Sequence, residues 1–392
     1  MLPYDVSQLL DLTAELDAWK ERLDQRGVLP RAWFGRLRRD LEAEAIAAST
    51  SMEGVPVTVE EVRRILLGVR PSQVKEEDAA LVEGYRDAMS FVLRRADAPA
   101  FRWNMELLIA LHDRILAGSW GAGAGRFRDG PAYVVNSSTG ELVFEPPDSD
   151  AVPDLVDRAC ALMEEGHPHP AIQAGWIHIA LVAIHPFRDG NGRAARVAAS
   201  LAMNRGGFKL AEFTSLEEWW GRHIPDYYAS FTVLGEAFDP DTDVTSFLVA
   251  HVRAQLFQVR ALDLREHVQR QIWLAIEQAM IDAGLEARVT NAAWDAFFGR
   301  DVTPRYYRPL ADISAATATT DLAAAVAAGL LEPEGKGRSR RYLPGPRLYS
   351  LIAQTLGLPD REQLDPDAER ARIVGELTKR ATAGQSPVAI RK

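Results

Sequence analysis

Twelve consecutive residues, His185-Pro-Phe-Arg-Asp-Gly-Asn-Gly-Arg-Ala-Ala-Arg196, gather a base, a carboxylate, a glycine-bracketed turn and two guanidiniums. The chemistry such a group can do is transfer at a phosphate. Asp189 is a hard oxygen ligand suited to Mg2+, an ion that takes one or two carboxylates and completes its shell with phosphate oxygens and water. Gly190 and Gly192 open backbone conformations closed to other residues, so consecutive N–H groups can converge on an anion. A helix starting around Arg193 adds its own free N–H groups and positive dipole end at the same point. Arg193 and Arg196 stand three apart and can grip separate phosphate oxygens. His185, across the turn, titrates near neutrality and can take a proton from an incoming hydroxyl. Phe187 is expected to anchor the loop in the core.

The elements that must position this loop are helices, because helical periodicity dominates the chain and strand-like alternation is scarce. Leu37, Leu41, Ala45, Ala48 and Met52 predict a helix that stops at Gly54. Thr58 with Glu61 reads as a capping box that opens the next helix. Further helices are predicted over 78–96 and 104–117, then the glycine-rich stretch 118–125 reads as a loop. Short β-prone runs at 132–135 and 141–144 flank Asn136-Ser-Ser-Thr-Gly140 as a hairpin, which Pro146 and Pro147 end. Helices over 151–165 and 170–184 lead into the twelve-residue motif, and one over 193–204, stopped by Gly206, leads out. More helix is predicted over 215–234 and 244–284.

A separate module begins near Leu285. Ser314 caps a helix over 315–328, and runs at 330–332 and 339–343 flank Gly335-Lys-Gly337, the pattern of a winged helix. The would-be recognition helix has no Lys or Arg and contains Asp321, whereas DNA-reading helices need basic or amide side chains. Lys336, Arg338, Arg340 and Arg341 on the wing have Glu332 and Glu334 beside them, so protein recognition or dimerisation ranks above DNA binding. The tail after Pro359 reads as one last charged helix that frays from about Ala383.

At 392 residues the chain is too long for one ordinary core, so two domains or a core with an appendage are expected. The net charge of −10 argues against coating nucleic acid or binding an anionic membrane as the main role. The lone Cys160 rules out an intramolecular disulfide and a zinc ribbon, and reads as a small buried hydrophobe. His178 and His185 are seven apart and can share a helix face, but His167 and His169 lie before that helix. No carboxylate stands at ligand spacing, so a zinc site is disfavoured and His178 reads as structural. Residues 1–20 lack the pattern of a signal peptide, and Trp176–Ile184 is too short to span a bilayer. The expected location is cytoplasmic, with no membrane partner.

The motif resembles the signature of the Fic family, whose members typically transfer AMP from ATP to a protein hydroxyl. Leu107-Leu-Ile-Ala-Leu-His112, Gly125-Arg-Phe-Arg128, the hairpin with Pro146-Pro147, and Ala174-Gly-Trp-Ile-His178 also resemble family blocks, so the resemblance covers roughly 30–247. It implies a mainly α fold: a Fic-type helical core with a small β-hairpin flap, followed by a C-terminal winged-helix domain. The implied organisation is an N-terminal helical region over 1–100, a catalytic core over 101–250, a linking helix over 251–284, the winged-helix-like domain over 285–358 and a helix with tail over 359–392.

By position, the resemblance implies that His185 is the general base and Asp189 the Mg2+ ligand. Gly190, Asn191 and Gly192 would form the phosphate nest, and Arg193 and Arg196 would hold phosphates, Arg196 the γ-phosphate. Ala132, Tyr133, Val134 and Val135 would dock a target segment by strand addition. Tyr227 and Tyr228 resemble a tyrosine pair near the adenine pocket, though core aromatics would read the same. After that pair many members place an asparagine, where this chain has Gly235.

Ser49-Thr-Ser-Met-Glu-Gly54 resembles the family's inhibitory pattern, placed before the motif. Glu53 falls in the last turn of its helix, where the dipole disfavours a carboxylate, and the resemblance names Arg196 as its cationic partner. The expected function is transfer of AMP from ATP, with Mg2+, to a Ser, Thr or Tyr hydroxyl of a target protein, held off by Glu53. The competing readings are the same fold with another nucleotide donor or with de-AMPylation, and a nucleotide sensor that binds DNA or a protein. Homo-oligomerisation is left open.

Overall fold

The periodic apolar runs fold as helices, and several helix starts carry a side-chain cap or a proline. This computed structural model describes residues 1–25, 31–116, 121, 123–135, 139–210, 216–359 and 365–384. The chain divides into two compact units, Met1–Arg260 and Ala261–Lys392, the division falling within the helix Thr245–Asp282.

The first unit is built on α1 (Leu10–Asp24), α2 (Arg31–Met52), α3 (Val59–Leu66), α4 (Glu76–Ala96) and α5 (Met105–Ile115), then α6 (Val152–Glu165), α7 (Pro170–Ile184) and α8 (Asn191–Arg205). Thr58 and Glu61 close the capping box of α3: the Thr58 hydroxyl accepts from the Glu61 N–H at 3.2 Å, and the Glu61 carboxylate accepts from the Thr58 N–H at 2.8 Å. His169 Nδ1 accepts from the Ala171 N–H at 3.0 Å and so caps α7, with Pro170 at its first position. α7 is apolar on every side and almost wholly buried, as a helix at the centre of a core must be. It packs chiefly on α8, which also meets α4 and α5. Buried side chains from Leu2 to Val259 join in one cluster, so the first hundred residues share a core with the motif region.

Where the structure departs from the periodicity, proline and glycine are the cause. The single helix predicted over 215–234 is two short helices, Leu216–Arg222 and Ile224–Ser230, followed by a 3-10 turn, Phe231–Leu234. Pro225 cannot donate a helical hydrogen bond and restricts Ile224, so the chain restarts there. Helix α8 starts at Asn191 rather than near Arg193, because Gly190 takes the left-handed conformation at φ 76° as its N-cap. The hairpin is shorter than its β-prone runs: β1 (Val134–Val135) pairs antiparallel with β2 (Leu142–Phe144), Val134 opposite Phe144. Its tip at 136–138 and part of the glycine-rich loop lie outside the described residues.

In the second unit, helices Thr290–Phe297, Pro304–Ala311 and Ala315–Ala327 precede an antiparallel hairpin, β3 (Leu331–Glu334) with β4 (Arg341–Pro344). Val302 adds a bridge to Tyr342, and helices Pro346–Thr355 and Pro366–Gly384 follow. Ser314 caps Ala315–Ala327 by accepting from the Thr317 N–H at 3.1 Å. Asp321 has a different role from a charge on an exposed helix face. It is buried, and accepts from Arg288 Nε at 2.8 Å, Arg288 Nη2 at 3.0 Å and the Tyr307 hydroxyl at 3.0 Å. On the β3–β4 hairpin, Arg341 is paired with Asp301 at 2.8 Å and with Glu334.

Among the described residues no helix is long and apolar enough to cross a membrane. Cys160 is buried, and burial pushes its thiol up to about 12, which leaves it unreactive at neutral pH.

Candidate functional site

Helix α7 ends on His185, whose backbone is left-handed at φ 49° and whose N–H still reaches the Leu181 carbonyl at 3.0 Å. That ending turns the chain out of the helix and into the loop that carries the motif. Asn191, first residue of α8, ties the loop back on itself. Its Oδ1 accepts from the Phe187 N–H at 2.9 Å and its Nδ2 donates to the Phe187 carbonyl at 2.8 Å. The Asn191 side chain therefore faces inward, and only its backbone N–H is left to serve a nest.

Phe187 is buried and stacks on His112 with ring centroids 3.7 Å apart and planes within 5°. His112 is a positioning residue that spacing within the motif did not reveal. Its Nδ1 accepts from the Gly125 N–H at 3.1 Å, which leaves Nε2 to carry the proton and donate to the Asp189 carbonyl at 2.8 Å. Burial lowers the pKa of His112 below the ordinary histidine value, in keeping with this neutral form. A Cβ at Gly190 would sit 3.5 Å from this ring, on a backbone that already needs positive φ.

The arginines differ in what they hold. Arg193 is buried, yet its Nε and Nη1 have no hydrogen-bond partner, and its Nη2 reaches Asp189 only at 3.4 and 3.5 Å. A buried guanidinium with idle donors is costly unless an anion completes it. Asp189 keeps its side chain half-exposed while Oδ1 accepts from the Gly190 N–H at 2.6 Å. No cluster of three His, Cys, Asp or Glu gathers among the described residues, so Asp189 is not part of a ready-made metal cage. That donor set fits Mg2+, which draws its remaining ligands from phosphate and water, and does not fit a protein-only metal cage.

Arg196 is fully engaged. Nε donates to Ser49 Oγ at 3.0 Å, Nη1 to the Tyr227 hydroxyl at 3.0 Å, and Nη2 to the Ser49 carbonyl at 3.1 Å and to Glu53 Oε1 at 2.8 Å. Three of these four bonds end on α2 or the residue just past it. Burial works against the charge, but the Tyr227 oxygen and the Glu53 carboxylate outweigh it and hold the guanidinium's pKa above its ordinary value. The Glu53 carboxylate also lies against the start of α8, where a Cβ at Gly192 would collide with it. Glu53 therefore stands where the N-terminal N–H groups of α8 could receive an anion. Gly54, at φ 79°, turns the chain away directly after it.

Helix α2 can come this close because Ala48 faces Gly221 of the helix Leu216–Arg222, where a Cβ would meet Ala48 Cβ at 2.6 Å. That same helix buries Glu217, which accepts from the Tyr85 hydroxyl at 2.8 Å and from Ser200 at 3.5 Å. Burial raises the pKa of Glu217, with Arg196 among the groups that pull it back down. Nothing in the sequence marked Glu217, because a charge on a short amphipathic helix looks like any solvated one.

The two tyrosines part company. Tyr227 is buried, its hydroxyl shared between Arg196 and His178 Nε2 at 3.1 Å. Tyr228 is exposed, with its hydroxyl donating to the Met52 carbonyl at 2.7 Å. On the flap, Tyr133 and Val135 are exposed, as are Leu142 and Val143 on the other strand, while Ala132 and Val134 are half-buried. His185 itself is titrated downward: burial is the main cause, the Val182 carbonyl opposes it, and the Arg128 charge adds to it.

The sequence profile of the Fic/DOC family matches residues 102–203. The chain is 26% identical over 198 residues to "Protein adenylyltransferase Fic" of Nematostella vectensis, which takes in 49% of this chain and 45% of that protein. It is likewise 26% identical over 211 residues to the protein of the same name from Drosophila melanogaster, 52% of this chain and 40% of that one. The match thus spans less than half the length of these curated relatives. Among solved structures, a Fic family protein from Desulfovibrio desulfuricans G20 superposes with a TM-score of 0.57 at 22% identity, covering 88% of this chain and 98% of that one. Fic-1 (residues 134–508) of C. elegans gives 0.50 at 20% identity, over 65% of this chain and 70% of the other; both share the fold. Over residues 102–203 this chain is thus similar to the Fic/DOC family, and it shares the fold of solved Fic proteins.

Proposed function

We propose that this chain is a Mg2+-dependent protein adenylyltransferase, moving AMP from ATP to a Ser, Thr or Tyr hydroxyl of a target protein, and that Glu53 holds it off. The observation that carries the reading is the idle Nε and Nη1 of buried Arg193, set beside the backbone N–H groups that open α8. This is a receptor for a polyanion held in tight register with a base.

In the proposed reaction Asn191 and Gly192 supply backbone N–H groups to the phosphates, Gly190 completes the nest once its N–H leaves Asp189, and Arg193 turns its idle donors on them. Arg196, once released, takes the γ-phosphate. A magnesium ion held by Asp189 would neutralise charge on the phosphates when bound. His185 accepts the proton of the attacking hydroxyl, whose oxygen bonds to the α-phosphorus as the bond to pyrophosphate breaks. The depressed pKa of His185 suits this task, because the imidazole is neutral and ready at neutral pH. Tyr228, with its exposed ring, is better placed than buried Tyr227 to meet a base. The flap residues Ala132 to Val135 offer the outer edge of a two-stranded sheet, with Tyr133 and Val135 exposed, to an extended target segment.

Glu53 opposes this at two points. It occupies Arg196, and its carboxylate sits against the start of α8. We further propose that the second unit is a winged helix used in protein recognition. Its Ala315–Ala327 helix exposes Ala315, Ala316, Thr319 and Thr320 but no cation, and Arg341 on the wing is already paired.

The test is labelled ATP with Mg2+ and the Glu53→Gly variant, alone and in lysate, against the same variant carrying His185→Ala. Transfer is expected from the first and none from the second, with ATP binding kept in both. Absence of transfer from either, with each of four nucleotides, would sink the enzyme reading and leave a nucleotide sensor.

A further inference from the structure

Arg128 is almost wholly buried and spends its donors on backbone carbonyls of three separate segments. Nε donates to the His185 carbonyl at 2.8 Å, Nη1 to the Gly130 carbonyl at 2.9 Å, and Nη2 to the Pro147 carbonyl. Its own backbone N–H donates to the Pro186 carbonyl at 2.9 Å. Gly130 lies just before β1 and Pro147 just after β2, so these two carbonyls are the feet of the flap. His185 and Pro186 are the turn that presents the base.

This turn needs holding. A non-glycine residue at φ 49° sits in a disfavoured backbone region and persists only where its surroundings over-determine it. Leu181 fixes the N–H side of His185, and Arg128 fixes the carbonyl side and the next one. The outgoing foot is anchored once more, by Glu145 pairing with Glu236 and Phe238 at 2.8 and 2.9 Å. The planar guanidinium fork can bind two feet and a turn together. A lysine, with one point of charge, cannot match that geometry.

We propose that Arg128 is a positioning residue that locks the His185–Pro186 turn to both feet of the β1–β2 flap. A segment lying along the flap is thereby kept in register with the His185 imidazole. The catalytic part of this inference rests on the roles proposed above for His185 and the flap; the mechanical part, one residue coupling two segments, does not.

The experiment compares Arg128→Lys and Arg128→Met, each in the Glu53→Gly background. Three quantities are read: ATP affinity with Mg2+, single-turnover transfer of label from ATP, and hydrogen exchange in peptides covering 128–135 and 182–190. ATP affinity should stay within about twofold, while transfer falls about tenfold for Arg128→Lys and about 100-fold for Arg128→Met, the scale expected of a misplaced reacting group. Exchange should rise in both peptides together. Transfer unchanged, ATP affinity falling in step with transfer, or exchange rising in one peptide alone would each overturn the proposal. Where Arg128→Met does not fold, Arg128→Lys carries the test. If Glu53→Gly itself transfers nothing, the adenylyltransferase reading fails by that result, and paired exchange alone decides the coupling.

Discussion

Arg196 Nη2 lies 2.8 Å from Glu53 Oε1, and the same guanidinium donates twice more to Ser49, one turn back along α2. The arginine's side chain is 2% exposed and the glutamate's 21%, so the pair is held mostly away from solvent. An ion pair in that setting is far less screened than a surface one. The end of α2 and the residue just past it therefore carry two grips on one arginine, a serine and a charge.

The two grips should be separable. Glu53→Gln keeps a hydrogen bond and loses the charge, Ser49→Ala loses one neutral partner, and Glu53→Gly loses both charge and bond. Transfer from labelled ATP should rise in the order Ser49→Ala, Glu53→Gln, Glu53→Gly. Glu53→Gly should also cost about 1–3 kcal/mol of stability without nucleotide, since Arg196 keeps its other partners, and Mg2+–ATP should restore it in a thermal melt. If Ser49→Ala releases as much activity as Glu53→Gly, the charge is not the main grip.

The pH dependence of transfer should follow His185. A general base must be unprotonated, and burial lowers its folded pKa below the ordinary 6.5. The acid limb of kcat/KM in the Glu53→Gly variant should accordingly lie below pH 6.5 and fall about tenfold per pH unit beneath it. A limb centred above 6.5 would assign the titration to another group.

His112→Phe should preserve the stack on Phe187 while removing the bonds to Gly125 and to the Asp189 carbonyl. Loss of such an outer partner typically weakens a metal ligand about 10- to 100-fold. The expected result is a raised Mg2+ requirement in a metal titration, with nucleotide affinity in the absence of Mg2+ unchanged. An unaltered Mg2+ dependence would show that Asp189 is positioned without His112.

Acid should destabilise the fold ahead of general carboxylate titration. Burial pushes His167 and His251 each down to about 4, from 6.5. Above 6.5 both are neutral in both states and their contribution is complete. As pH falls from 6.5 toward 4, the unfolded chain binds protons that the folded one refuses, so stability falls by about 1.4 kcal/mol per pH unit for each histidine. Thermal midpoints between pH 7 and 5 check this, with His251→Leu expected to flatten the slope even though its midpoint at pH 7 is lower. An unchanged slope would remove His251 from the account.

The sequence by itself determined the local chemistry, because that depends on residues adjacent along the chain. The base, the carboxylate and the glycine turn lie within twelve residues, and Thr58 and Glu61 cap α3 from three apart. The helical character followed from periodicity, and the family likeness from the motif and its neighbouring blocks. Only the tertiary structure decided which charges are buried and what they face. It turned Asp321 inward onto Arg288 and Tyr307, separated buried Tyr227 from exposed Tyr228, and buried Glu217 near Arg196. It brought Arg128 to the base turn 57 residues away and Glu53 to Arg196 across 143. Glu53 and Arg196 could be paired beforehand only by family likeness, since spacing along the chain carries no such distance. Packing of Ala48 on Gly221 is the physical step that brings α2 near, and no local pattern encodes it.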